Sequence, residues 1–88
     1  MRWRSYNLGT VRYNAVVTVA LKAKTNVRLM TKDHFAAYQR QQFYRMLGGV
    51  AVTPLFKVTI PQNGDWYVVL DVDGLNSPLL PAAVSVAR

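Results

Sequence analysis

The chain has 88 residues, enough for one domain, and we assign residues 1–88 to a single domain. Hydrophobic residues make up 51% of it and charged residues 17%, which excludes a disordered tail because an apolar chain of low charge collapses. Eleven basic and four acidic residues give a formal net charge of +7. The chain has no Cys and no Glu, so disulfides, thiolate nucleophiles and Glu-based acid catalysis are excluded.

The first predicted elements are strands. Residues 3–8 predict a short strand closed by Gly9. Residues 11–24 then alternate between apolar and polar side chains with period two. Because successive side chains of a strand point to opposite faces, this pattern predicts one long strand, or two strands joined by a bend near Asn14. Residues 26–30 predict another short strand.

In the middle of the chain the residue pattern changes from that of strands to that of a helix. Residues 31–42 favour a short helix, since Phe35 and Tyr38 are three positions apart and fall on one helical face. Residues 43–47 predict a strand that runs into the pair at positions 48–49, where two glycines allow a bend or a bulge.

The second half of the chain is again typical of strands. Residues 55–60 and 66–72 alternate around a turn at residues 61–64, and residues 84–88 predict a final strand. Six to eight short strands with one helical insertion predict a mainly β fold. The expected architecture is an antiparallel β-sandwich, jelly-roll-like, or a partly open barrel.

Several short strings of residues occur in a characteristic order and spacing. They are Asn26 to Met30, Tyr44, Gly48 and Gly49, Pro61, residues 64–69 with the sequence Gly-Asp-Trp-Tyr-Val-Val, and Ser85 with Val86. Together they resemble the bacterial family called domain of unknown function 1883, over essentially the whole chain. The resemblance implies a small β-sandwich, found alone or beside Toll/interleukin-1 receptor (TIR) domains. It assigns no catalytic residue.

Catalysis is not expected from this set of residues. His34 is the one histidine, so neither a Ser-His-acid nor a Cys-His site can be built without it, and we expect it to be a surface or half-buried residue. Residues 71–74 resemble the opening of a calcium loop, but that loop needs a Glu at its twelfth position. We therefore predict a protein that is not an enzyme and that uses no metal and no cofactor.

The favoured functional segment is residues 38–45, which combines aromatic and guanidinium groups in a loop between elements. We expect Phe43 and Tyr38 to cover an open end of the sandwich. Tyr44 would be buried against a protein partner or a small anionic ligand, while Arg40 and Arg45 pair with its acidic groups. The predicted binding residues are Tyr38, Arg40, Tyr44 and Arg45.

A basic sheet surface is the alternative site. Residues 1–45 hold nine basic residues and one acidic residue, a net charge of +8, whereas residues 46–88 have a net charge of −1. If the first strands pair with one another, their basic side chains share one face that could bind nucleic acid or another polyanion. A solvated surface explains the same charges. The residues concerned are Arg2, Arg4, Arg12, Lys22, Lys24 and Arg28.

The sequence also bears on the location of the protein and on its self-association. The sequence shows no export signal and no stretch of the length that spans a membrane. Together with the absence of Cys, this indicates a cytoplasmic protein. A homo-oligomer joined through an exposed strand edge stays open as an alternative.

Overall fold

The computed structural model describes residues 2–87 of the chain. This range contains seven strands and one helix. Half of the residues are in strands. In chain order the elements are β1 (Arg4–Val11), β2 (Val16–Ala20), β3 (Thr25–Thr31), α1 (Lys32–Gln39), β4 (Leu47–Ala51), β5 (Leu55–Thr59), β6 (Gly64–Asp71) and β7 (Ala83–Ala87).

The strands form two antiparallel sheets that face each other. The four-stranded sheet has the order β1-β6-β3-β4, and the three-stranded sheet has the order β5-β2-β7. The predicted mainly β sandwich with one helical insertion is therefore confirmed. Because β2 belongs to the other sheet and β6 lies between β1 and β3, the strands β1, β2 and β3 are not neighbours of one another.

The core between the sheets is built by alternate residues of the central strands. Val17 and Val19 of β2 are fully buried, as are Val27 of β3 and Val68 and Leu70 of β6. Each such side chain contributes about 1.5–3 kcal/mol when it leaves water. The period-two pattern of residues 11–24 thus marks the inner face correctly.

The start of the chain corrects one sequence-based expectation. Gly9 does not close the first strand, because β1 continues through a bulge to Val11, and Gly9 has a positive φ of 68° there. The backbone N–H of Gly9 donates to the side-chain oxygen of Asn7 at 2.8 Å. Of the two predicted arrangements for residues 11–24, the bend is confirmed: Asn14, with a φ of 71°, lies between β1 and β2.

The helix α1 covers the outer face of the four-stranded sheet. It lies within the predicted residues 31–42 but ends at Gln39, and Gln41 then takes a positive φ of 58°. Tyr38 packs there against Met30 and Val69. In the described part of the chain, no helix has both the length and the apolar character needed to cross a membrane.

Two expectations for the segment after the helix are wrong. Tyr38 covers the outer face of a sheet and not an open end of the sandwich, while Phe43 is 83% exposed and covers nothing. Residues 42–46 form no strand, and β4 begins only at Leu47. The strand that was expected to end at the two glycines instead contains both of them.

Of the two glycines of β4, only Gly48 lacks space for a side chain, so alanine substitutions at Gly48 and Gly49 form a matched pair. Gly48 has a φ of 116°, and a Cβ atom there would lie 2.2 Å from the carbonyl oxygen of Val27, whereas nothing lies within 4 Å of the corresponding position on Gly49. We expect Gly48→Ala to lower the free energy of unfolding by at least about 2 kcal/mol and Gly49→Ala to change it by less than about 0.5 kcal/mol. Urea unfolding measures the stability of both variants. Equal losses of stability would contradict the conclusion that only position 48 requires glycine.

Candidate binding site

A buried carboxylate organises the outer face of the four-stranded sheet. Asp71, the last residue of β6, is 0% exposed and lies opposite Asn26 of β3 in the sheet register. Its two oxygens accept hydrogen bonds from Arg28 Nε at 2.7 Å, Tyr38 Oη at 2.6 Å and Asn26 Nδ2 at 2.7 Å. The backbone N–H of Asp73 donates a further bond at 3.1 Å. A buried charge with this many donors is well compensated.

The hydrogen bonds decide the charge state of this group. Burial alone raises the pKa of Asp71, but the bonds from Arg28, Tyr38 and Asn26 together outweigh burial and hold that pKa below its ordinary value. Burial, with the hydrogen bond to Asp71, raises the pKa of Tyr38. At neutral pH the cluster therefore contains an ionised carboxylate, a guanidinium and a neutral phenol.

Arg28 connects this carboxylate to the segment that follows the helix. Its Nη1 atom donates to the Tyr44 hydroxyl at 3.0 Å and lies 3.6 Å from the Met46 sulfur. The Tyr44 ring meets the Tyr38 ring edge-on, with 5.1 Å between their centroids. These contacts fix residues 44–46 against the sheet.

A groove of about 630 Å³ opens beside this segment, at the end of β3. Its lining includes the buried residues Leu29, Met30 and Trp66, and the segment from Tyr44 to Leu47 forms one side. Thr31, His34, Pro61 and Gln62 complete the lining. The groove thus combines apolar and polar residues, as ligand-binding sites commonly do.

The polar groups of the rim have distinct partners. The backbone N–H of Arg45 donates to Nδ1 of His34 at 3.1 Å, and the indole N–H of Trp66 donates to the carbonyl of Gln62 at 3.1 Å. Arg45 is exposed, and its guanidinium forms no ion pair with any residue between positions 2 and 87. One uncompensated cation therefore lies at the rim of the groove.

The four residues predicted to bind a ligand fall into different environments. Tyr44 and Arg45 line the groove, whereas Arg40 is exposed at the end of α1 and is not part of the lining. Tyr38 is 1% exposed and is held by Asp71, so it supports the site from below. Tyr44 also borders a second hollow of about 380 Å³ that Gln41 and Gln42 help to line.

The strand pairing that the predicted basic surface requires is absent from residues 2–87. The surface required β1, β2 and β3 to pair with one another, and they do not. Arg28 is also not a free surface cation, because its guanidinium is paired with Asp71. The five other predicted polyanion-binding residues are exposed: Arg2, Arg4 and Arg12 lie in or beside β1, and Lys22 and Lys24 lie between β2 and β3.

Two kinds of site residue were missed from the sequence. Asp71 was considered only as the opening of a calcium loop and given no role in the site, and nothing in its neighbourhood reveals Arg28, which is 43 positions away in the chain. Met46 and Leu47 were assigned to a strand and not to a groove. In the described range, no group of three or more His, Asp, Cys or Glu side chains could hold a metal ion.

Fold and site together define a small antiparallel β-sandwich with a groove formed by its helical insertion and the segment after it. The chain belongs to the family described as domain of unknown function (DUF1883), whose model matches residues 1–88. The resemblance noted in the sequence is thereby confirmed. No match was found among curated proteins or among solved structures.

The pair of Arg28 and Asp71 should dominate the stability of this region. Arg28→Met leaves a fully buried carboxylate without its cation, and we expect it to lower the free energy of unfolding by about 3–5 kcal/mol. Lys24→Met removes an exposed cation and should change it by less than about 0.5 kcal/mol. Chemical unfolding of both variants tests this, and a loss below about 1 kcal/mol for Arg28→Met would contradict the role of the pair.

The same carboxylate predicts a pH dependence. Because the pKa of Asp71 is lower in the folded than in the unfolded chain, its contribution is complete well above the ordinary value of 3.8 and is lost as the pH falls through the folded pKa. The difference in unfolding free energy between the wild type and Asp71→Asn should therefore shrink between about pH 6 and about pH 3. Urea titrations across this range measure it, and a constant difference would show that Asp71 is not the responsible group.

Proposed function

We propose that this protein is a non-catalytic binding module that recognises a protein partner or a small anionic ligand through residues 38–45 and the groove beside them. One observation carries the proposal: Tyr44 and Arg45, the aromatic and cationic residues of that segment, both line the groove of about 630 Å³. Aromatic and arginine side chains contribute most of the binding energy at many interfaces.

Charge at the rim supports an acidic ligand. Arg40 and Arg45 are both exposed, and neither forms an ion pair with a residue in the range 2–87. A guanidinium can bind a carboxylate or a phosphate through two parallel hydrogen bonds. Met46 and Leu47, which line the groove and are partly exposed, would contact a hydrophobic part of the same ligand.

A rigid support favours binding at this place. The chain of contacts from Asp71 through Arg28 to Tyr44 holds the wall of the groove in position before a ligand arrives. A site that is ordered in advance loses less conformational entropy on binding. The Arg28 and Asp71 pair is therefore a supporting element of the site and not a contact residue.

The absence of catalysis is part of the proposal. His34 is the one imidazole of the chain, and its Nδ1 atom already accepts a backbone hydrogen bond from Arg45. Because the chain has no Cys and no Glu, it has no thiol nucleophile and no glutamate that could act as acid or base.

The cellular setting is proposed from the absence of Cys and from the family resemblance. A chain without Cys is suited to a reducing compartment, and we place the protein in the bacterial cytoplasm. The family resemblance suggests TIR-domain proteins as neighbours of the module. A partner from that setting would then supply the acidic groups that Arg40 and Arg45 bind.

Polyanion binding is the second candidate. Arg2, Arg4, Arg12, Lys22 and Lys24 are exposed, and none of them forms an ion pair among the described residues. They give the first half of the chain its excess of positive charge. Such a surface would bind nucleic acid with a steep dependence on salt concentration.

A pair of charge reversals separates the two candidates. We expect the double variant Arg40→Glu with Arg45→Glu to lose capture of the partner in a pull-down and to keep its melting temperature, because both side chains are exposed. Arg4→Glu with Lys22→Glu makes the same change of net charge at two exposed residues that do not line the groove, and it should leave capture intact.

Two outcomes would count against the groove. Capture that survives the reversal at positions 40 and 45 would exclude these arginines as contacts. Loss of binding in the control variant alone would favour the second candidate, especially if affinity for random oligonucleotides falls steeply in a salt titration.

A further inference from the structure

β4 is an open edge of the four-stranded sheet. It pairs with β3 on one side, and among residues 2–87 no strand pairs with its other side. One row of its backbone N–H and C=O groups is therefore available to a further strand. Residues 46–53, which contain β4, include no charged residue and no proline.

Two of the other three edges of the sandwich, β1 and β5, have features that discourage pairing, whereas β7 is also uncharged but does not line the groove. β1 carries Arg4 and is interrupted by the bulge at Gly9, and β5 carries Lys57 and lies between Pro54 and Pro61. Charges, bulges and prolines are the usual means by which proteins protect an edge strand. β4 has none of the charges or prolines, so its open edge is available for a specific partner.

The exposed side chains of this edge are apolar. Leu47, Val50 and Val52 are 38%, 48% and 73% exposed, and Leu55 at the start of β5 is 56% exposed. Leu47 also lines the groove, so the edge and the groove form one continuous surface. An added strand could therefore pair with β4 while its end reaches the groove.

We propose that β4 binds an extended acidic segment of a partner protein by strand addition, with a carboxylate of that segment on Arg45. The proposal rests on the proposed function and names the class of partner for the same site. Main-chain hydrogen bonds would supply affinity, and alternate side chains of the segment would supply specificity.

Charge selects this occupant over a second copy of the chain. Arg45 lies two residues before β4, and its guanidinium has no acidic partner in the described structure. Two copies would bring together chains that each have a net charge of +7. An acidic segment instead complements that charge, and its approach is accelerated at low salt.

The first experiment selects peptides from a random display library on the full-length protein. We expect the selected peptides to share a run of about five β-branched or aromatic residues, the length of β4, with Asp or Glu at one end. A library that yields no such peptide would overturn the proposal.

The second experiment tests the backbone hydrogen bonds directly. Two versions of a selected peptide are synthesised, one N-methylated at alternate odd positions and the other at alternate even positions. Because alternate residues of an added strand point their N–H groups toward β4, one version should bind roughly tenfold more weakly and the other should bind nearly as the unmodified peptide does. Equal affinities would exclude strand addition.

Variants of the protein separate this proposal from the broader one. Arg45→Gln should weaken binding of the selected peptide about tenfold, and Arg4→Gln, on the opposite edge of the sheet, should not. If Arg45→Gln weakens binding but both methylated peptides bind equally, strand addition fails and the groove function stands. If methylation matters and Arg45→Gln does not, the acidic contact on Arg45 fails and this proposal is overturned, while the groove function is decided separately by the reversal at positions 40 and 45. Sedimentation that shows a dimer with protected β4 amides would assign the edge to a second copy and overturn the proposal.

Discussion

The structure around the candidate site depends on one buried ion pair, Arg28 with Asp71. A carboxylate that is 0% exposed is tolerated because three side chains and one backbone N–H donate to it. The Nη1 atom of Arg28 also donates to the Tyr44 hydroxyl, so the same guanidinium fixes the segment after the helix. The position of that segment thus depends on the Asp71 carboxylate of β6, which holds Arg28 of β3 in place.

This arrangement explains why a short, irregular segment can line a groove. Residues 42–46 contain no helix or strand, yet Tyr44 and Met46 are held by contacts with Arg28. Arg45, between them, is left exposed at the rim. The alternation of held and free side chains gives the site a fixed wall and an available cation.

Sequence reasoning could predict the fold because its signal is local. The period-two pattern that buries Val17 and Val19 and the turn residue Asn14 both act within a few positions. The site was only half predictable: Tyr44 and Arg45 were selected from the sequence and both line the groove, but the roles of Arg28 and Asp71 depend on pairing between β3 and β6. Periodicity cannot reveal which strands become neighbours, and the expected basic face failed for that reason.

The most direct test of this account follows the Asp71 carboxyl and the Tyr44 ring by NMR as the pH is lowered. If Asp71 controls the segment, its carboxyl carbon should titrate with a midpoint below the ordinary value of 3.8, and the Tyr44 ring resonances should shift over the same range. A carboxyl that titrates at or above 3.8, or Tyr44 resonances that do not follow it, would contradict the claim that this buried ion pair positions the site.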